Sequence, residues 1–340
     1  MKVLVTGGYF DESGEGVIWH VDLSEERAEP VLRWSPPDHL RVAKKGFAGG
    51  SLGPDGTLYV AAHAAVVRVD PSRAVVTGML HQPCMNDLHH VAVQGQRLWV
   101  SNTGLGAVDM FAFDGRFVGS HALLPAWANA RRILGEDYAV GAPPIFPGWS
   151  GATATAWESI GHDDGYHDLD RRAAPFHRLK VPDYLHVNHV GSIGRRVIAT
   201  CFEDGTLRDL HDYSVVAEVS GHHLHDGNAH GEGFWVTSTV GAVIELDHST
   251  FMERNRVDVF ETGHFGWCRG LAVSAQYLVV GLTELRRRPP VGWTKCDTAG
   301  SETSVLLLDR RDGRLLARVS LSDRERHSKI YSILPTSTQD

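Results

Sequence analysis

The sequence predicts an all-β protein, a six-bladed β-propeller closed by pairing of its N-terminal strands with its C-terminal strand. Three observations predict this fold. A strand–turn–strand template recurs five times, two further strands follow most of its copies, and the strands at the two ends of the chain lack partners of their own. Four-stranded units repeated around an axis are the blades of a propeller.

The five copies of the template each contain a short apolar strand, a tight turn and a second, β-branched strand. They are GGSLGPDGTLYVAAH (49–63), HHVAVQGQRLWVSNT (89–103), NHVGSIGRRVIATC (188–201), DGNAHGEGFWVTST (226–239) and RGLAVSAQYLVVGLT (269–283). A third strand, an Asp-Gly turn and a fourth strand follow most of them, as in VDMFAFDGRFVGSHAL and VLLLDRRDGRLLARVSL. Each copy therefore predicts one blade.

The sixth blade is predicted from the two ends of the chain. SKIYSILP (328–335) is an inner strand with no partners after it, and KVLVTGG, GVIWHVDL and PVLRW near the start supply the other three. We expect residues 2–6 to hydrogen-bond to residues 329–334, which closes the ring and leaves no strand edge free.

The Thr-Gly-Gly at residues 6–8 invites comparison with dinucleotide-binding enzymes. Their fingerprint needs further glycines three and six residues after the first, and a helix after the turn. Tyr9 to Ser13 provide neither glycine, and GVIWHVDL alternates like a strand. We therefore expect no nucleotide cofactor, and we place Gly7 and Gly8 at the end of a blade strand.

Composition excludes several classes of protein. The net charge of -8, without a long basic run, gives no footprint for nucleic acid. No apolar stretch approaches the roughly 20 residues that span a membrane, and MKVLVTGG is too short for a signal peptide. Four cysteines without a C-x-x-C pair fit a reducing cytoplasm. We expect a single cytoplasmic domain over residues 1–340 whose partner is a small-molecule substrate.

Two insertions interrupt the repeat, at about residues 125–183 and at about residues 286–302. The first is rich in Gly, Pro and Trp, and we interpret it as a lid, since long loops of this kind are either functional or disordered. Both fall on the face that carries the connections before strand one and after strand two of each blade. The other face has only tight turns, so function is expected on the first, loop-rich face.

Histidines concentrate on that face, where the inner strands start. The stretches that carry them are MNDLHH (85–90), YLHVNH (184–189), HHLHDGN (222–228) and HFGWCR (264–269). They occupy equivalent points of the repeat in consecutive blades, which predicts a pocket lined by histidine at the axis.

The segments DYLHVNHVGSIGRRVIATCF, HLHDGNAHGEGFWVTSTVGAVIELD and GWCRGLAVSAQYLVVGLTELR resemble an uncharacterised bacterial β-propeller family, a domain of unknown function. Its inner strands carry His-Leu-Asn-Gly, His-Ser-Pro and Thr-Arg-Gly-Leu motifs. His186 and Asn188 match the first, His225 the second, and Arg269 with Gly270 the third. The resemblance covers about residues 86–122 and 183–335, and it implies the fold and the site but not the reaction. His189 and Asp226 depart from the family motifs at the site.

Three histidines from consecutive blades predict a site for one transition metal ion, Fe, Cu or Zn. The predicted ligands are His89, His186 and His225, with His90, His189 and His223 in reserve. Adjacent residues of a strand point to opposite sides, so His89 and His90 are not both expected to face the axis. The alternative is that these histidines are structural residues held by hydrogen bonds.

Other polar residues at the strand starts are candidates for catalysis and substrate binding. Asp87 and Asp226 are candidate catalytic residues that orient imidazoles, or else ordinary turn acids. Arg269 is a candidate ligand for a carboxylate, phosphate or sulfate, or else a tie between blades. The remaining substrate-binding candidates are Asn188, Trp267 and Tyr184.

Our first hypothesis is a metal-dependent enzyme, an oxidoreductase or a lyase, that acts on a small anionic organic substrate in this pocket. The second is a calcium- or metal-dependent hydrolase of the lactonase type, because Asp87, Asn188, Asp226 and Asn228 offer oxygen ligands on the same face. The third is a non-catalytic propeller that binds a peptide or a small ligand.

Overall fold

The computed structural model describes residues 1–82, 85–123, 185–219, 221, 223–286 and 299–336. In these ranges the chain forms 24 strands, arranged as six four-stranded antiparallel sheets, and two short 3-10 helices, Thr103–Leu105 and Val259–Thr262. The predicted six-bladed β-propeller is thus confirmed. None of the helices described is long and apolar enough to cross a membrane.

Five blades follow one another along the chain, each running from its inner to its outer strand. Blade 1 contains β4 (Phe47–Leu52), β5 (Leu58–Ala62), β6 (Ala65–Asp70) and β7 (Val75–His81). Blade 2 contains β8 (Leu88–Gln94), β9 (Arg97–Asn102), β10 (Ala107–Ala112) and β11 (Phe117–Ala122). Blade 3 contains β12 (Val187–Ile193), β13 (Arg196–Cys201), β14 (Thr206–Asp209) and β15 (Val215–Glu218).

The next two blades have the same order. Blade 4 contains β16 (Leu224–His230), β17 (Gly233–Ser238), β18 (Ala242–Asp247) and β19 (Glu253–Asp258). Blade 5 contains β20 (Trp267–Val273), β21 (Tyr277–Thr283), β22 (Ser304–Asp309) and β23 (Leu315–Ser320). The predicted lid, residues 125–183, lies outside the described residues, as do residues 287–298 of the second insertion, which connects β21 to β22.

The closing blade combines the two ends of the chain. Its inner strand is β24 (Ser328–Pro335), followed outward by β1 (Lys2–Tyr9), β2 (Gly16–Asp22) and β3 (Arg27–Trp34). Pairs such as Val5↔Ile333 and Gly8↔Lys329 confirm the predicted closure. Gly7 and Gly8 lie inside β1 and do not end it. Glycine is needed at position 7 because a Cβ there would overlap the backbone oxygen of Lys329.

The core consists of six apolar clusters, one between each pair of adjacent blades. For example, Val5 and Trp19 of the closing blade pack against Val279 and Val305 of blade 5. The β-branched, alternating strands of the sequence form these layers because both sides of each blade are covered by a neighbour. The ring of blades therefore holds the six inner strands side by side around the axis.

Every inner strand has a β-bulge or register irregularity near its start, where its pairing with the second strand shifts. A bulge adds an unpaired residue and re-aims the side chains beside it. Buried hydroxyls on the second strand satisfy backbone groups there. Thr237 accepts from the N–H of Asp226 at 3.0 Å, and Thr6 donates to the oxygen of Ala48 at 2.7 Å and accepts from the N–H of Ser332 at 3.2 Å.

Candidate functional site

Equivalent residues at the six bulges form stacked layers around the axis on the loop-rich face. Two consecutive positions lie at each bulge, and alignment of the strand pairings gives one residue per blade for each position. The first position, which we call the axial layer, contains Ala48, His89, Asn188, His225, Arg269 and Tyr331. The second, which we call the lower layer, contains Gly49, His90, His189, Asp226, Gly270 and Ser332.

A third set of equivalent residues lies two positions before the axial layer, nearer the loops, and we call it the rim. It contains Gly46, Asp87, His186, His223, Trp267 and Lys329. Asp87 and His186 both have positive φ, 51° and 50°, which is uncommon for residues other than glycine. The same unusual backbone at equivalent points of two blades supports a functional rim.

The axial layer brings two of the predicted metal ligands near a third. The ring centroids of His89 and His186 are 4.5 Å apart, and those of His89 and His225 are 6.4 Å apart. Tyr331 lies beside them, with its ring 5.8 Å from His89 and 5.9 Å from His225. His225 is 4% exposed, and neither of its ring nitrogens has a hydrogen-bond partner among the described residues. These imidazoles therefore face a common space.

Asn188 fixes the protonation of His89. Its Nδ2 donates to the backbone oxygen of Leu224 at 3.1 Å, so its Oδ1 is the acceptor that faces His89 Nδ1 at 2.5 Å. His89 Nδ1 must then carry a proton, which it donates to Asn188. Asn188, predicted to bind substrate, instead orients an imidazole and has its amide engaged within the protein.

Asp87 lies between a lysine and two histidines at the rim. Its Oδ1 is 2.5 Å from Lys45 Nζ, 3.2 Å from His63 Nδ1 and 3.6 Å from His89 Nε2. Burial alone would raise the pKa of Asp87, but the charge of Lys45 and the hydrogen bonds from the histidines outweigh it and hold the pKa well below its usual value. Asp87 is thus ionised, paired with Lys45, and placed to orient His89.

Arg269 and Lys329 bring positive charge to the aromatic side of the pocket. The Arg269 guanidinium lies 4.7 Å from the ring of Trp267 and 5.0 Å from that of Tyr331. Lys329 Nζ lies 5.4 Å from the Tyr331 ring. Burial would raise the pKa of Tyr331, but Lys329 and Arg269 lower it to about 7. Burial also lowers the pKa of Lys329 to about 8.

The lower layer contains a group of side chains close enough to hold a metal ion. His90, His189 and Asp226 are buried, and their potential ligand atoms all lie within 4.8 Å of one another. The rings of His90 and His189 are 4.0 Å apart, and His189 Nε2 is 3.7 Å from Asp226 Oδ1. Asp226 Oδ2 also accepts from the N–H of Leu271 at 3.0 Å. Gly49 leaves room for this group, since a Cβ there would be 2.5 Å from His90 Cδ2.

Burial keeps four histidines of the site neutral. It lowers the pKa of His90 to about 3, and it lowers those of His186, His189 and His225 well below the usual value. Burial also raises the pKa of Asp226 to about 7, against hydrogen bonds from the backbone N–H groups of Leu271 and Gly227. Neutral imidazole is the form that ligates metals, so these rings are ready for an ion without losing a proton.

The remaining site residues predicted from the sequence are His223, Trp267 and Tyr184. His223 donates from Nδ1 to the backbone oxygen of Phe202 at 3.0 Å, and the Phe202 ring packs on both His223 and His186. Trp267 stacks with Arg269 at the pocket. Tyr184 lies outside the described residues.

Sequence reasoning missed four residues of the pocket: Lys45, His63, Lys329 and Tyr331. Lys329 and Tyr331 could have been predicted from the repeat, because aligning SKIYSILP with the other inner strands places Tyr331 at the position of His89. Lys45 and His63 come from connections before β4 and after β5, where no periodic pattern applies.

Comparisons with known proteins establish likeness of fold. No protein-family model and no curated protein matches the chain, so the motif resemblance described above stays a resemblance. A protein of unknown function from Bacteroides caccae superposes with a TM-score of 0.58 at 8% identity, over 98% of this chain and 97% of the other. A chain of a nidogen/laminin complex gives 0.58 at 9% identity, over 98% and 97%. A Bacteroides uniformis protein proposed to be a 6-phosphogluconolactonase gives 0.52 at 12% identity, over 96% and 84%. The chain is similar to all three in its propeller fold.

Proposed function

We propose that the protein is a metal-dependent enzyme acting on a small anionic organic molecule at the loop-rich end of the propeller axis. The observation that carries the proposal is the pair of stacked layers, in which buried neutral imidazoles with unengaged ring nitrogens lie beside Arg269 and Lys329. Imidazole lone pairs bind transition metals, and buried cations bind anions. A purely structural role explains neither the free nitrogens nor the charge.

The ion is best held by His90, His189 and Asp226. Two imidazoles and one carboxylate are the ligand set of non-haem iron enzymes, and a similar set holds zinc in hydrolases, with positions left open for water or substrate. Iron or copper would supply oxidation chemistry, and zinc would supply a Lewis acid for lyase chemistry. The set predicted from the sequence is the alternative location. Its His89 and His225 lie in the axial layer, one strand position before His90 and Asp226, and its His186 lies in the rim.

Elemental analysis of protein purified without an affinity tag tests the proposal. We expect close to one Fe, Cu or Zn per chain, lost in His189→Ala and in the near-isosteric Asp226→Asn. His121→Ala, on the outer strand of blade 2, is the matched control and should keep the metal. Loss in His186→Ala and His225→Ala alone would instead assign the ion to His89, His186 and His225. A protein that contains no transition metal, and whose melting temperature none of the three ions changes, would refute the proposal.

A lactonase-type hydrolase is the second candidate, favoured by the fold shared with the Bacteroides uniformis protein. Calcium in such a site needs several oxygen ligands. Asp87 is paired with Lys45, and both ends of the Asn188 amide are engaged, so calcium would have to replace these partners. Stabilisation by calcium that exceeds stabilisation by Fe, Cu or Zn would favour this candidate. Ligand binding without any metal would favour a non-catalytic propeller.

A further inference from the structure

We infer that the substrate of this pocket is a small dianion, a phosphate monoester or a dicarboxylate, whose negative charge is bound by Arg269 and Lys329. The inference rests on the proposed function and names the class of its substrate. It is carried by two cationic side chains at the pocket, the buried Lys329 and the half-buried Arg269, which have no carboxylate partner among the described residues.

Lys329 is a buried lysine without a counter-ion. The residue is 1% exposed, and its ammonium donates to the backbone oxygen of Lys44 at 2.5 Å and lies against the rings of Phe10 and Tyr331. Among the described residues no carboxylate lies within ion-pair distance of it. Removing an ammonium group from water is unfavourable unless an anion compensates it, so this position favours a ligand that supplies one.

Arg269 likewise lacks a carboxylate partner among the described residues. Its guanidinium stacks between Trp267 and Tyr331, and its buried Nε has no hydrogen-bond partner in the part of the chain that the structure describes. No described carboxylate pairs with it either. A guanidinium presents parallel N–H donors that suit a carboxylate or a phosphate, so the unengaged edge of Arg269 is a binding edge.

The acidic groups nearby do not supply the missing charge. Asp87 is paired with Lys45 at 2.5 Å, which makes that pair neutral. Asp226 belongs to the lower layer, where it accepts from the N–H of Leu271 and faces His189. The Tyr331 phenol, whose pKa these two cations lower to about 7, neutralises only part of their charge. A ligand that brings two negative charges supplies the rest. His225, with both ring nitrogens unpartnered, offers a further hydrogen bond to such a ligand.

Calorimetric titration at constant ionic strength tests the inference, with inorganic phosphate, succinate and acetate as the probes. We expect phosphate or succinate to bind at least about tenfold more tightly than acetate, because one further charge-assisted interaction is made. Binding of phosphate alone identifies a phosphate ester, and binding of succinate alone identifies a dicarboxylate. Equal affinity for acetate and both dianions, or no binding of either dianion, overturns the inference.

Two variants separate lost binding from lost folding. Lys329→Met and Arg269→Met should each weaken dianion binding about tenfold or more. Lys329→Met should also melt at a higher temperature than the native protein without anion, because it removes an unpaired buried charge. Arg310→Met is the control, since Arg310 also stacks on a ring, that of Trp235, but has Glu245 as its partner 3.6 Å away. Unchanged dianion affinity in both pocket variants overturns the inference. The metal content of the same protein tests the proposed function separately, so the two can fail independently.

Discussion

Replacing Thr6 by valine should destabilise the protein strongly, because one buried hydroxyl joins the closing blade to blade 1. Thr6 is 0% exposed, donates to the oxygen of Ala48 at 2.7 Å and accepts from the N–H of Ser332 at 3.2 Å. Valine has the same shape, so Thr6→Val leaves a buried C=O and a buried N–H without this partner. Each costs about 1–3 kcal/mol. After subtracting roughly 1 kcal/mol for the added methyl group, we expect a loss of about 1–5 kcal/mol.

Urea unfolding followed by tryptophan fluorescence measures this loss as a fall in the midpoint at unchanged slope. Thr6→Ser keeps the hydroxyl and should lose only about 1 kcal/mol, from the deleted methyl group. Thr57→Val is the matched control, because the Thr57 hydroxyl donates to Asp55 at an exposed turn, and it should change stability by less than about 0.5 kcal/mol. If Thr6→Val is no less stable than Thr57→Val, the hydroxyl does not hold the ring closed and the reasoning is wrong.

Two further predictions concern buried polar positions. Gly49→Ala places a Cβ 2.5 Å from His90 Cδ2 and 2.8 Å from the oxygen of His89, so the purified variant should contain much less metal while its circular dichroism is unchanged. Full metal content would contradict the proposed ligand set. Burial raises the pKa of Asp109, so the stability that its protonated form contributes is present below the unfolded pKa of about 4 and is lost as pH rises through the folded value. Asp109→Asn should therefore weaken the dependence of the urea midpoint on pH and raise the midpoint at pH values above about 7. An unchanged pH profile would contradict the raised pKa of Asp109.

The sequence predicts the blades well because their signals are local. Alternating strands and tight turns mark each inner strand, and SKIYSILP could be paired with the N-terminal strands because both lacked partners. Gly7 and Gly8 were misplaced at the end of a strand, since the contact that requires Gly7, with Lys329, joins the two ends of the chain. Contacts between residues so far apart in the sequence produce no periodic pattern from which they could be predicted.

The site was predicted only in part, because the bulges shift the register of the inner strands. A regular strand would send His89 and His90 to opposite sides, and only the repeated bulge explains why each joins a ring of equivalent residues from the other blades. The group of His90, His189 and Asp226 therefore combines two residues predicted as reserve ligands with one predicted as catalytic. Distances between side chains from different blades depend on this geometry, which spacing along the chain does not encode.

The pairing of β1 with β24 also sets the order in which the protein matures during synthesis. Thr6 and Ser332 are 326 positions apart, so at about 5–20 residues per second a ribosome needs roughly 15–65 s between them. During that interval β1 presents an unpaired edge of the kind that invites aggregation. Tyr331 and Lys329 arrive with the same late strand, so the pocket is completed by the event that closes the ring. Protection of the nascent chain by a chaperone is most needed in this interval, before any ligand can bind and stabilise the fold.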